Sequence, residues 1–345
     1  MSGRRSRAAL QVIGAGVTLM SLSLTACATG TSTPAASGGG SAPSEKMLIG
    51  IVEQQLGNPF FGAIQDAAKA KAEAAGAQVI TANSKTAGDS ETQVTAIQDM
   101  INRKVKGIVV DPANATALVP VIKQARDAGI LVIAVNTETD PADAVDATFE
   151  TDNLEAGRLT GAWAKAALGD KAPKVALLDY DLTDKTSKAR HDGFLKGMGL
   201  TEQSPEVVAE KETSASVDGG QAAMENMLQA HKDINVVYSI NEPMAQGAYA
   251  AAKAQGLESG ILFTGIDGSC SGVQAVKDGQ IGATVAQFPT LMGEKAVEAI
   301  LQYAKDGTKP SGIINSGTVL ITDKPAAGLD SKDTAWGLQN CWGTK

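Results

Sequence analysis

The sequence predicts an α/β protein built as two doubly wound domains, each a mainly parallel sheet covered on both faces by helices. Three observations carry this. Short apolar runs of strand length alternate with longer helix-forming stretches from Met47 onward. The strand-like runs are apolar throughout rather than alternating, which marks a sheet buried on both faces. The alternation is played through twice, and the roughly 300 residues it occupies are too many for one small core.

In order, Met47–Glu53 (MLIGIVE) reads as a strand and Phe60–Ala75 as an Ala-rich helix, stopped by Gly76 at a C-terminal cap position. Ala77–Ala82 reads as strand, Glu91–Arg103 as helix, and Val105–Val110 as strand ending at Asp111-Pro112. Ala115–Ala128 reads as a helix closed by Gly129, before the strand Ile130–Val135. A break at Thr148–Asn153 precedes the helix Leu154–Leu168. The second half follows with strand Lys174–Leu178, helix Ser187–Met198, strand Glu206–Ala209 and helix Asp218–Ala230. Strand Ile234–Ile240, helix Met244–Gln255 with Gly256 as its stop, strand Ile261–Ile266 and strand Ala283–Ala286 complete the pattern.

Ahead of this body, Arg4, Arg5 and Arg7 open a basic segment, followed by an apolar stretch to about Leu22 and then Leu24-Thr25-Ala26-Cys27. That arrangement predicts an export signal over 1–26. Its polar interruptions make it a poor permanent span. Leu-Thr-Ala-Cys resembles the bacterial lipobox, which implies a lipid on Cys27; the alternative is an ordinary secretory signal. Residues 27–46, rich in Ala, Gly, Ser, Thr and Pro, read as a flexible tether. Removing the signal takes away three of the 30 basic residues and none of the 38 acidic ones, leaving a net charge of −11. That argues against a nucleic-acid partner. With Cys27 lipidated, Cys270 and Cys341 remain in an oxidising compartment, and a disulfide between them is expected; two buried, inert thiols are the alternative.

In open α/β sheets ligands sit outside the carboxyl ends of the strands. There this chain places Gly57-Asn58-Pro59-Phe60-Phe61, Asn136-Thr137, Asn241-Glu242, Asp267-Gly268 and Gln287, with Arg190 near the opening of a helix. Each polar residue alone is read as a cap or turn residue. Together they offer planar multi-donor heads for hydroxyls, and two of only six phenylalanines offer a face for C–H groups. A polar, sugar-like ligand fits that set.

The motifs Gly57–Phe61, Asn241–Ala248, Gly265–Gly268 and Ala283–Gln287 occur in an order and spacing that resemble the ribose-type periplasmic sugar-binding proteins of ABC importers, over essentially 47–340. The resemblance implies the type I periplasmic binding protein fold: two Rossmann-like lobes joined by a three-stranded hinge. Crossings would fall near Thr148–Asp152, Gln287–Pro289 and Asn315–Leu320. The lobes would be 47–150 with 288–315, and 151–287 with 316–345. Asn58, Phe60, Phe61, Arg190, Asn241, Asp267 and Gln287 would contact ligand, and Asn136 is added from its strand-end position. Asp267 is expected to accept sugar hydroxyls as an ionised carboxylate.

The chain departs from the ribose pattern at Asn136-Thr137, where that pattern has Asp-Arg, at Gln54, where it has a small residue, and near Ala215–Val217, where an aromatic is missing. The tail from Ser316 to Gly343 and the Cys270 loop resemble the fructose-type members, which points to fructose or a related hexose. The partners implied are a monosaccharide, an ABC permease with its ATPase subunit, and the membrane through Cys27. The protein would be a monomer, held on the extracytoplasmic face of the cell membrane, with neither cofactor nor metal.

Other functions fit less well. Gly268-Ser269-Cys270-Ser271-Gly272 superficially matches a nucleophile elbow, but the chain has only His191 and His231 as bases. There is no zinc spacing and no phosphate-cradling glycine loop. A transcription regulator would need a basic helix-turn-helix in place of the N-terminal segment seen. A binding protein for inositol or a furanose signalling molecule, or a chemoreceptor-coupled sensor, shares the same pocket logic.

Overall fold

The computed structural model describes residues 46–86 and 88–343. The signal, the tether and the lipidation site at Cys27 lie outside these residues. The first sheet collects strands β1 (Leu48–Glu53), β2 (Gln78–Asn83), β3 (Gly107–Val110), β4 (Leu131–Val135), β5 (Ala147–Glu150) and β11 (Gly312–Asn315). Their order is β11-β5-β4-β3-β1-β2, with every pairing parallel. The second holds β6 (Val175–Asp179), β7 (Val207–Glu212), β8 (Val236–Ser239), β9 (Leu262–Asp267), β10 (Ala283–Ala286) and β12 (Val319–Ile321). It runs β12-β10-β9-β8-β6-β7 and is parallel except for β12 against β10.

Helices α1 (Pro59–Ala74) and α9 (Pro289–Asp306) cover one face of the first sheet, packing Ile64, Met292 and Ile300 on Ile49 and Ile51. Helices α2 (Ser90–Asn102) and α3 (Val119–Asp127) cover the other, with Ile97 and Ile122 against Val52 and Val110. The second sheet is flanked by α4 (Asn153–Leu168), α5 (Lys185–Met198), α6 (Val217–Ala230) and α7 (Glu242–Ala254), around a core of Trp163, Phe194, Met224, Tyr238 and Met244. Short helices α8 (Cys270–Lys277) and α10 (Thr334–Asn340) complete it.

Local chemistry sets the boundaries. Side chains of Asn58, Asp89, Asp152, Asp184, Ser216, Asn241 and Ser269 each accept a backbone N–H in the first turn of the helix they open. Gly76, Gly129 and Gly256 follow helices with φ of 80°, 79° and 69°, a region closed to most side chains.

Differences from the sequence reading have local causes. The helix expected from Ala115 starts at Val119: Asn114 Oδ1 accepts from Thr116 N and Ala117 N, making a turn, and Pro120 is tolerated only in the first helical turn. The break expected at Thr148–Asn153 contains the end of a strand, β5, held between β4 and β11. Helix α9 and strands β11 and β12 were not singled out by the pattern.

The chain passes between the two units three times, at 151–152, 287–288 and 316–318, and the crossings are tied together. Thr151 Oγ1 donates to Gln287 Oε1 (3.1 Å), Asp152 N to Thr318 Oγ1 (3.2 Å) and Ser316 N to Glu150 O (2.7 Å).

Candidate ligand-binding site

All three crossings leave from the carboxyl ends of strands, β5, β10 and β11, so those ends lie where the lobes join. From the second lobe, Arg190 is held by three bonds: Nε to Asn153 Oδ1 (2.8 Å), Nη1 to Ile240 O (3.1 Å) and Nη2 to Gln287 Oε1 (2.9 Å). Gln287 Nε2 in turn donates to Asp267 Oδ1 (3.0 Å). Arg190, Gln287 and Asp267 therefore form one chain, with Arg190 6% and Gln287 3% exposed. That fixes each head group before any ligand arrives.

The placement of Arg190 follows from glycine. Helices α4 and α5 cross with Gly157 and Gly161 facing Gly193 and Gly197. A Cβ at Gly157 would lie 2.0 Å from Arg190 O, and one at Gly193 would lie 2.1 Å from Leu154 O. Only bare backbone permits this approach, so α5 carries Arg190 at a distance set by α4.

Asp267 differs from its expected ionised state. Burial and then the neighbouring Glu242 charge raise its pKa to about 8, against the pull of Arg190. Glu242 is fully buried and accepts from Gly268 N (2.8 Å), Ser269 N (3.0 Å), Thr284 Oγ1 (2.6 Å) and Ser269 Oγ. Burial pushes its carboxyl up too, and these four donors oppose that. The four donors favour the charge on Glu242, and burial beside that charge favours the proton on Asp267. Asn241 is 8% exposed; it caps α7 through Met244 N and donates to Ala215 O (3.0 Å), so its cap role and its cleft position coexist.

From the first lobe, Asn136 adopts φ 60°, a left-handed conformation that Asn tolerates better than most residues. Its Nδ2 donates to Asp111 Oδ2 (3.0 Å), and Gln54 Nε2 donates to Asp111 Oδ1 (3.0 Å). Asp111 thus orients two amides at the strand ends. Burial raises its pKa to about 7, although the hydrogen bonds from Gln54, Thr137 and Asn136 oppose the rise. Glu53, also fully buried, is raised well above the usual carboxylate range by burial and by Asp111; among the described residues neither of its oxygens has a hydrogen-bond partner.

Phe60 is 5% exposed and Phe61 half-buried, their rings edge-to-face at 5.9 Å. Asn58 is exposed, its Oδ1 capping α1 through Phe60 N. The structure thus joins Arg190, Gln287 and Asp267 directly, sets Asn136 in a separate first-lobe network, and leaves Asn58 at the rim. A cavity of about 340 Å³ at the crossings is lined from the first lobe by Glu138, Glu150 and Asn315 and from the second by Asn153, Lys185 and Thr186; it adjoins the chain through Asn153, while Arg190, Gln287 and Asp267 do not line it.

Asp111 gives no site signal in the sequence, because Asp-Pro after a strand reads as a turn. Asn153 gives none either, and the tail residue Trp342 only its place beside Cys341. Cys341 is disulfide-bonded to Cys270. Asp179, His191 and Glu210 bring three donor atoms within 4.8 Å of one another, but His191 Nδ1 is already bonded to Asp179 (3.1 Å).

The fold and cleft are those of a two-lobed binding protein. Residues 49–309 match the periplasmic binding protein domain family, and the chain belongs to it. It is 29% identical over 255 residues to the ribose import binding protein of Bacillus subtilis, covering 74% of this chain and 81% of that one. It is 31% identical over 288 residues to the D-apiose import binding protein of Paraburkholderia graminis, covering 82% and 89%. A crystal structure of a galactofuranose binding protein superposes with a TM-score of 0.72 at 27% identity, covering 79% and 94%.

Proposed function

We propose that the protein is the extracytoplasmic solute-binding component of an ABC importer, taking a monosaccharide of the fructose, related hexose or ribose kind between its lobes. The observation that carries this is the preassembled Arg190–Gln287–Asp267 chain at the cleft, with the Asp111-held amides of Gln54 and Asn136 at the facing sheet edge. Arg190 keeps N–H groups for hydroxyl oxygens beyond its three bonds. Asp267, when sugar hydroxyls donate to it, releases its proton to water and accepts as the carboxylate, the stronger form of the bond. Phe61 supplies an apolar face for the ring C–H groups. Groups from both lobes touch the sugar only when the lobes are together, so the sugar shifts the hinge equilibrium by its differential affinity. The closed form is then what a permease, driven by its ATPase, receives.

The ligands in the names of the relatives are ribose, D-apiose and galactofuranose, all small polyhydroxyl compounds. The last supports a second reading, a furanose ring, in line with the uncharged Asn136-Thr137 pair. The protein is proposed to act as a monomer, anchored by lipid on Cys27. Among the described residues no helix is long and apolar enough to cross a membrane.

Isothermal titration against ribose, apiose, fructose, galactofuranose and myo-inositol tests the reading. At least one sugar of the panel is expected to bind with a Kd below about 100 μM. No binding by any of them overturns it.

A further inference from the structure

The C-terminal tail is fastened to one lobe and reaches the other. Three links hold it to the second lobe: the disulfide from Cys341 to Cys270, the bond from Cys270 N to Trp342 O (2.9 Å), and the bond from Trp342 Nε1 to Asp267 O (3.0 Å). Its indole, however, lies against Phe60 of the first lobe, with ring centroids 5.2 Å apart and planes at 76°, the edge-to-face arrangement aromatic pairs favour. Trp342 packs there with the cluster of Ile64, Phe61 and Met292. It therefore touches the backbone of Asp267 on one side of the gap and the ring of Phe60 on the other.

We propose that Trp342 is a positioning residue for ligand retention: an aromatic clasp that holds the two lobes together beside the site and sets how fast a ligand leaves. The tail moves with the second lobe, whereas Phe60 stands on α1 in the first. Rotation about the three crossings separates the rings and exposes the apolar faces of both to water, which the hydrophobic effect opposes. Among the described residues an ion pair also links the lobes away from the crossings, Lys185 with Glu138 (3.7 Å) and Asp140 (3.6 Å), their side chains 46%, 21% and 58% exposed. Such an exposed pair adds little. The clasp thus raises the closed population, and apparent affinity scales with that population. Because the indole N–H is bonded to the Asp267 carbonyl, the clasp also reports directly to the residue that accepts the sugar. This second consequence rests on the proposed sugar-binding function; the clasp itself does not.

The test compares wild type with Trp342→Ala and Trp342→Phe. Small-angle scattering of the unliganded proteins is expected to give a larger radius of gyration for the Ala variant, with Phe, which keeps a ring but loses the N–H, in between. For the sugar wild type binds, Kd is expected to weaken about tenfold in the Ala variant, the size of one aromatic pair, mostly through faster dissociation. Thermal unfolding run in parallel separates a structural role: a tail that only stabilises the fold lowers the melting temperature without changing the radius or the dissociation rate. A Trp342→Ala protein with wild-type radius and a Kd within twofold of wild type overturns the clasp. Wild type that binds no sugar overturns the sugar reading instead, and the scattering comparison still decides the clasp.

Discussion

Replacing Asp267 by Asn should make the empty protein more stable and the binding protein useless. In the folded chain the Asp267 carboxyl holds its proton up to about pH 8, against an ordinary value of 3.8. Keeping it neutral at pH 7 costs about 4 kcal/mol at roughly 1.4 kcal/mol per unit. Asp267 retains some contact with cleft solvent, which trims this to ~2–3 kcal/mol. Asn has the same shape and carries no such cost. What it loses is small: the bond from Gln287 Nε2 to an oxygen survives, and the NH2 then faces Glu242 N, whose existing bond is long at 3.4 Å. A net gain of ~1–2 kcal/mol remains at pH 7 after about 1 kcal/mol for that lost bond. An acid raised in the folded state contributes stability that is full below the unfolded value and lost as pH climbs to the folded one. Asn should therefore be about 1 kcal/mol less stable than Asp at pH 4, where only the lost bond counts, and more stable by its full margin at pH 8. Urea unfolding of both proteins at these two pH values reads it out. A variant whose advantage is the same at pH 4 and pH 8, or that is less stable at pH 8, refutes the buried-proton account. Titration with the cognate sugar should show binding at least a hundredfold weaker, because a neutral amide cannot become the carboxylate the hydroxyls require.

Asp111 and Glu150, each raised to about 7 by burial first, act in the same direction, so unfolding free energy should fall by a few kcal/mol between pH 4 and pH 8; a rise over that window contradicts it. Gly157→Ala drives a methyl toward Arg190 O and should destabilise by about 2–3 kcal/mol in chemical denaturation while weakening sugar binding, since α5 must shift. Replacing both Cys270 and Cys341 by Ser opens a linkage spanning 71 residues and should lower stability by about 2–4 kcal/mol, seen as a drop in melting temperature. Cys27→Ser should release the protein from membranes on cell fractionation, whereas continued membrane association would remove the lipid anchor from the proposal.

The fold was legible because its central strands, such as β3, β4 and β8, are apolar or buried along their length, and most of its helices begin at Asn, Asp or Ser. Those are local signals. Strand β5 was not, because its four residues are held by pairing with β4 on one side and β11 on the other, some 165 residues away in sequence by the register Phe149–Ile314. The site was legible as a set of residue types at strand ends, and the Arg190–Gln287–Asp267 chain brings three of them into contact. Their charge states were not legible. Nothing in Gly-Ile-Asp-Gly says that Glu242 lies beneath Asp267 and takes the charge. Asp111 looked like half of a turn until Gln54 and Asn136 were seen to share its two oxygens, and Trp342 looked like part of a tail until Phe60 was found against it.

The threefold passage between lobes also bears on when the molecule can be finished. The first sheet needs β11 as its edge, and its α1 face needs α9, yet both arrive only at residues 289–315. A nascent chain ending before Pro289 therefore exposes Ile49, Ile51 and Ile64 without their cover and leaves β5 as an open edge. The second sheet likewise waits for β12 and the tail. Neither half can settle early, so long-range pairing delays folding until nearly the whole chain is made. A polypeptide that is slow to close is also one that can still be threaded through a narrow pore, and that delay is built into the order of the strands.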